Sequence, residues 1–213
     1  MVATIFKDLS QTNTPFYRDI DFILNRIKTG TSKILVEKIR LEKDKKLRNE
    51  LKSQLTAICF SGKFTRRADT AISEHSGLIC LDFDNYDTIE QLNEDLKVIN
   101  KDKYTFASFI SPSGNGFKLL VKIPTEIENH KLYFDSLAEY YNNSHFDITS
   151  KNISRICFES YDPDLFINKK ALTWTTKKEF QSYSYIDKAP SLKLTNENEI
   201  INRLYKWFLK EHS

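Results

Sequence analysis

The residues able to do chemistry fall in three short stretches. The first is Leu-Asp-Phe-Asp at 81–84. Side chains alternate faces along a strand, so Asp82 and Asp84 point one way and Phe83 the other. The preceding Leu78-Ile79-Cys80-Leu81 is apolar, so the acidic pair closes a buried strand. Two carboxylates in such a place repel and are most simply offset by divalent cations. Alone, the pattern equally describes a solvated strand end feeding an Asp-Asn turn. The second stretch is Ser-Pro-Ser-Gly-Asn-Gly-Phe-Lys at 111–118. Gly114 and Gly116 let backbone N–H groups approach phosphate oxygens, and Ser113 and Lys118 add a hydroxyl and a cation. Alone, it also reads as a plain hairpin turn. The third is Asp147, in His145-Phe146-Asp147, which alone reads as a surface-loop carboxylate.

The intervening elements decide whether these stretches meet. Residues 78–84 read as a buried strand, 86–102 as an amphipathic helix capped by Asp87 or Thr88, and 104–111 as a second strand. A third strand spans 117–124, a second helix 130–143 and a fourth strand 155–160. The order β-α-β-β-α-β is the split βαβ, or ferredoxin/RRM-like, arrangement of an α+β fold. Its strand order 4-1-3-2 places the starts of strands three and four beside the end of strand one. Asp82 and Asp84, the Ser113–Lys118 loop and Asp147 then converge. Three carboxylates can hold one or two Mg²⁺ or Mn²⁺ ions, which suits in-line attack on a phosphoryl group. Arg155, at the start of strand four, pairs with Asp147 or reaches a phosphate. Among four histidines only His145 falls near this point, and none shows ligand spacing. Tyr133, Phe134, Tyr140 and Tyr141, at helical spacing, read as core. Tyr161 and Phe166 are the better stacking candidates.

The flanks are less patterned. VATIF reads as a strand, and Thr14-Pro15 as the start of a helix running to about Lys28 and ended by Gly30. Residues 32–53 give one long or two short helices holding eight Lys/Arg and four Asp/Glu. AICFSGKF at 57–64 reads as a strand and turn, followed by a short helix or loop to residue 76. A short strand, LFIN, follows Asp162-Pro163-Asp164, and residues 196–211 form a final apolar helix. The reading gives a helical N-terminal extension over 1–55, a core over 56–180, and a linker with C-terminal helix over 181–213.

Composition bounds the partners. The chain has 213 residues, 32 Lys plus Arg, 29 Asp plus Glu and a net charge of +3, which argues against a histone-like binder. The basic surplus lies in 32–53. With 13% aromatics the chain can build a core and is not disordered. No apolar run approaches the ~20 residues of a membrane span, and the N-terminus lacks a secretory pattern. Cys59, Cys80 and Cys157 read as buried free thiols of a reducing cytoplasm, and without Cys-x-x-C no zinc is expected.

Asp-x-Asp, Ser-Pro-Ser-Gly-x-Gly-x-Lys and an Asp before a Ser-Arg-Ile strand together resemble the archaeo-eukaryotic primase superfamily. Within it, the chain is similar to the primase–polymerase-type (VirE-like N-terminal) domain of phage and mobile-element replication proteins. The resemblance covers about residues 55–168. It implies template-directed nucleotidyl transfer from NTP or dNTP on a single-stranded DNA template. Asp82, Asp84 and Asp147 would be the catalytic metal ligands, and Ser113, Gly114, Gly116 and Lys118 would hold the nucleotide; Arg155 joins the nucleotide-binding candidates by its position at the start of strand four, not by motif. Lys63, Arg66 and Arg67 would touch template or triphosphate. Many members carry His where this chain has Lys118; lysine binds phosphate as a point charge but cannot act as a neutral imidazole. The family's habits and the apolar final helix suggest a fragment of a longer protein, with a helicase or accessory module downstream. A haloacid-type phosphohydrolase fits poorly, because Tyr86 occupies its turn and the strand order is wrong. Rolling-circle nicking needs a His-x-His that is absent. A catalytically degenerate nucleic-acid-binding domain is the alternative.

Overall fold

The computed structural model describes residues 1–178, 201–202 and 204–207. The chain forms two units, Met1–Glu179 and Phe180–Ser213. In the second unit, residues 201–202 and 204–207 are helical and expose Ile201, Leu204, Tyr205 and Trp207. The rest of the expected 196–211 helix, and the stretch before it, lie outside the described residues.

The first unit is α+β and contains two four-stranded sheets. In one, β1 (Val2–Phe6) pairs antiparallel with β2 (Phe16–Asp19) and with β3 (Ala57–Cys59), and β3 pairs with β9 (Cys157–Phe158). In the other, β8 (Phe117–Lys122) lies antiparallel between β6 (Leu78–Phe83) and β7 (Thr105–Ile110), and β10 (Phe166–Ile167) extends β7. A small hairpin joins β4 (Gly62–Phe64) to β5 (Ile72–His75).

The β6 strand reads as a nearly continuous apolar run because both its faces are covered. Ile79, Leu81 and Phe83 join Phe117, Leu119 and Val121 under α4 (Ile89–Lys101) and α5 (His130–Tyr141). Leu78 and Leu120, with half-buried Cys80, turn the other way, onto α1 (Ile20–Thr29) and the first sheet. Helix α1 buries Ile20, Ile23, Leu24 and Ile27, the i, i+3, i+4, i+7 stripe of an amphipathic helix. Gly30 ends it in the left-handed region, its N–H bonded to Arg26 O. The basic block forms two helices, α2 (Lys33–Leu41) and α3 (Lys45–Ser53).

Two expectations are corrected. Thr14-Pro15 does not open a helix; Phe16–Asp19 pairs with β1 as an edge strand, and the helix starts at Ile20. The fixed φ of proline suits the approach to an edge strand as well as a first helical turn, and β-pairing prevailed. The first three strands of the expected ferredoxin-like core take their places, but the fourth does not. Only Cys157–Phe158 of 155–160 is strand, and it pairs with β3 instead of β6. The free edge of β6 is met by the His145–Asp147 stretch, through an isolated Phe83–Phe146 bridge. Tyr133 and Phe134 are core as expected, whereas Tyr140 is exposed beside Tyr104 and Trp174. Cys59 and Cys157 are buried free thiols, and Cys80 is half-buried. Among the described residues no helix is long and apolar enough to cross a membrane.

Candidate functional site

Strand register sets the first contact. Asp82 lies opposite Lys118 across β6 and β8, and Phe83 lies opposite Phe117. Because faces alternate, the two rings stack at 4.6 Å on the helix side while the charges meet on the other. Lys118 Nζ forms an ion pair with Asp82 Oδ1, both side chains being nearly buried, at 11% and 10% exposure. Burial opposes the charge on Lys118, but Asp82, with Asp84 nearby, holds its ammonium protonated above the ordinary range. Burial also pushes the Asp82 carboxyl up; Lys118 pulls it down and Asp84 pushes it further up. The ionisation of Asp82 therefore depends on a neighbouring cation.

The edge of β6 brings in the third carboxylate. Asp84 N donates to His145 O, and Asp147 N to Asp82 O, both at 2.8 Å. This pairing carries Asp147 to the acidic strand end. Arg155 Nη2 bonds Asp147 Oδ2 at 3.0 Å and stands 3.9 Å from Asp82 Oδ2. Asp147 Oδ1 accepts from Thr149 N and Oγ1, at 2.9 and 2.6 Å. His145 stacks on Tyr86 at 3.8 Å, with Nδ1 3.2 Å from Asp84 O. Among the described residues no three His, Cys, Asp or Glu side chains are already gathered to enclose a metal ion.

The Ser111–Gly116 loop closes the site from the β7–β8 side. Ser111 N donates to Gly116 O at 2.8 Å, and Gly114 N to Ser111 O at 3.0 Å. Gly114 has φ +79°, which only glycine adopts without strain. Its N–H is therefore committed to the turn. Gly116 is required by close approach: a Cβ there would lie 2.7 Å from Asp84 Oδ1 and closer still to Phe83 O.

A cavity of about 390 Å³ joins these parts. It is lined by Asp82, Asp84, Ser111, Ser113, Lys118, Arg155 and Arg67, so most of the expected site shares one wall system. Asp147 lies behind Arg155 and lines a neighbouring hollow with Asp84 and His145. Gly114 and Gly116 shape the loop and do not line the cavity. Lys63 is paired with Glu74 across the hairpin, and Arg66 is exposed; neither lines the cavity. Tyr161 packs against Gly30 and Lys33, and Phe166 lies in β10; neither lines the cavity.

Three contributors from the basic helices escape sequence reasoning. Asn49 and Lys52 of α3 line the cavity, one helical turn apart. Their spacing was the available signal, but it is equally that of a solvated face. Arg40 of α2 donates to Ser111 O at 3.3 Å and Tyr161 O at 2.9 Å, fastening the loop from below.

The solved structures with the described likeness include the AEP domain of the primase-polymerase of cyanophage S-2L and the primase RepB′. The first is 11% identical at a TM-score of 0.42, with 82% of this chain and 83% of that chain covered. The second is 13% identical at a TM-score of 0.35, with 81% and 52% covered. At such scores neither bears on function. No curated protein matches the chain. The family model for the BT4734-like N-terminal domain matches residues 50–166, more than half of the chain and all of the cavity's acidic, loop and Arg155 positions. The matching family is the BT4734-like one and not specifically a VirE-like one: the chain belongs to the family of BT4734-like N-terminal domains.

Proposed function

We propose that this domain performs template-directed nucleotidyl transfer, synthesising or extending a primer on single-stranded DNA from NTP or dNTP. One observation carries the reading: a single cavity combines a paired-carboxylate strand end, a serine loop and four cationic side chains. That is the donor set for a nucleotide's phosphates beside a divalent ion.

The carboxylates suit a hard cation. Asp84 lines the cavity, and among the described residues its carboxylate forms no ion pair. Asp82, Asp84 and Asp147 carry three negative charges against the two of Lys118 and Arg155, the cations that meet them. These three residues would hold Mg²⁺ or Mn²⁺, with Arg155 yielding Asp147. Bound there, the ion would lower the pKa of an attacking hydroxyl and offset charge on the phosphates. The chain's own residues do the rest. Ser113 offers a hydroxyl to a phosphate oxygen, Arg155 offers a guanidinium, and the turn at Gly114 keeps the loop against the acidic strand.

The test is primer synthesis and extension on single-stranded DNA with Mg²⁺ or Mn²⁺. Wild type should extend, and Asp82→Ala/Asp84→Ala should lose at least ~10³-fold in rate. Normal synthesis by the double variant would sink the site. A second reading, binding without catalysis, draws on Lys118 and Arg155 already neutralising Asp82 and Asp147 without a metal. Tight DNA binding with no Mn²⁺ uptake and no synthesis would favour it.

A further inference from the structure

Lys118 and Lys52 face the same cavity in different circumstances. Lys118 is almost fully buried and paired with Asp82. If it swung to a ligand with no other cation on Asp82, it would leave a buried carboxylate unpartnered, a strongly unfavourable exchange. Arg155, more exposed, is engaged with Asp147 at 3.0 Å until a cation takes that carboxylate. Lys52 is half-buried in the last turn of α3 and lines the cavity. Among the described residues its ammonium makes no hydrogen bond or ion pair. Burial lowers its pKa, Asp84 and Asp82 draw it up, and Lys118 and Arg48 press it down, so it lies within the field of the site. Arg67, also free of a carboxylate partner among the described residues, lines the same cavity, as does Asn49. Two of the cavity's four cations are thus occupied by carboxylates, and two are not. A polyanion is the ligand that uses the surplus.

We propose that Lys52, seconded by Arg67 and Asn49, binds the phosphate chain of the incoming nucleoside triphosphate, and that Lys118 serves as the fixed counter-charge of Asp82. The assignment rests on the nucleotidyl-transfer reading above. It moves the phosphate-binding cation from the loop–strand motif to the basic helix.

Calorimetric binding of inorganic tripolyphosphate, ATP and dATP to wild type, Lys52→Gln and Lys52→Arg tests it, with a single-stranded oligonucleotide as a further ligand. Thermal unfolding checks that each variant is folded. Lys52→Gln should weaken tripolyphosphate and both nucleotides about tenfold, the scale of one charge-assisted contact. Lys52→Arg should restore most of the affinity, and oligonucleotide binding should stay within about twofold. In primer extension, nucleotide KM should rise more than kcat falls. Unchanged tripolyphosphate binding by Lys52→Gln, alongside primer extension by wild type, overturns the assignment and leaves nucleotidyl transfer standing. A loss confined to the oligonucleotide assigns Lys52 to the strand and also overturns it. Wild type that binds neither tripolyphosphate nor nucleotide overturns both.

Discussion

Replacing Lys118 with Met removes a buried charge and keeps most of the side-chain volume. Asp82 would then stand about one-tenth exposed beside Asp84, with Arg155 Nη2 at 3.9 Å as its nearest remaining cation. Breaking a buried pair by deleting one partner costs about 3–5 kcal/mol, and the distant Arg155 places this case at the low end, about 3 kcal/mol. That is roughly a 150-fold change in the folding constant at pH 8. The pH dependence fixes the cause. The Asp82 carboxyl is already pushed up by burial and Asp84, and loss of Lys118 pushes it further. A carboxyl whose folded pKa is raised costs stability above that pKa and recovers it as pH falls. The gap between Lys118→Met and wild type should therefore narrow between pH 8 and pH 5, by up to ~1.4 kcal/mol per pH unit. Urea unfolding at both pH values measures it, and Asp82→Leu/Lys118→Met supplies the control. An apolar cross-strand pair should restore most of the loss, since buried ion pairs are often replaceable by well-packed hydrophobes. A gap independent of pH, or a double variant no more stable than Lys118→Met, would refute the argument.

Other predictions follow from single observations. Gly116→Ala, whose Cβ would meet Asp84 Oδ1 and Phe83 O, should cost about 2 kcal/mol or more and depress primer extension. Gly114→Ala, strained only by its φ of +79°, should cost about 1 kcal/mol; equal losses would contradict the packing argument. His75 and His130 are buried, with Nε2 and Nδ1 3.0 Å apart, and burial lowers their pKa values to about 4 and about 3. His75 Nδ1 accepts the Gly77 N–H, so the shared proton sits on His75 Nε2. Both rings stay neutral in the fold, so stability should fall as pH drops below about 6.5, by about 2–4 kcal/mol at pH 5. Urea midpoints that do not move over that range would contradict this. Glu159, whose side chain is 1% exposed, accepts Arg26 Nε and Nη2 at 2.6 and 2.9 Å. It also accepts the Ser32 hydroxyl. Glu159→Ala should cost about 3 kcal/mol in urea unfolding, and a double-mutant cycle with Arg26→Met should show coupling above about 1 kcal/mol.

The parts of the fold legible in the sequence are those where local pattern and packing agree. Helix α4 starts where Thr88 accepts from Gln91 N, and α1 stops at Gly30, because a hydroxyl cap and a left-handed glycine act within a few residues. Strands β6, β7 and β8 were legible from apolar runs between turn residues. The misread elements depend on distant partners. Phe16–Asp19 is a strand only because Val2–Ile5 lies beside it, and all four of its residues are exposed. Cys157–Phe158 joins β3 across a separation of roughly a hundred residues, and no local pattern encodes that choice over β6.

The site divides along the same line. Asp82 and Asp84 share a face by strand alternation, a property of two residues, and the cavity wall bears it out. The convergence of Asp147 was anticipated through a fourth strand, but hydrogen bonds from 145–147 to the free edge of β6 bring it about. The right neighbour was thus reached through a different pairing. Lys118 was read as a ligand for phosphate because a cation beside a glycine turn suits one. Register adds a second claim on it: Lys118 lies directly opposite a buried Asp82 and is paired with it within the sheet. A cross-strand pair is invisible until two strands are aligned, and a one-residue slip would have turned Lys118 to the other face. Lys52, on a helix whose basic surplus suggested either a solvated face or contact with a nucleic-acid backbone, lines the cavity with no carboxylate partner among the described residues. Charge type and local spacing therefore nominate the groups, and long-range register determines which of them remain available to a ligand.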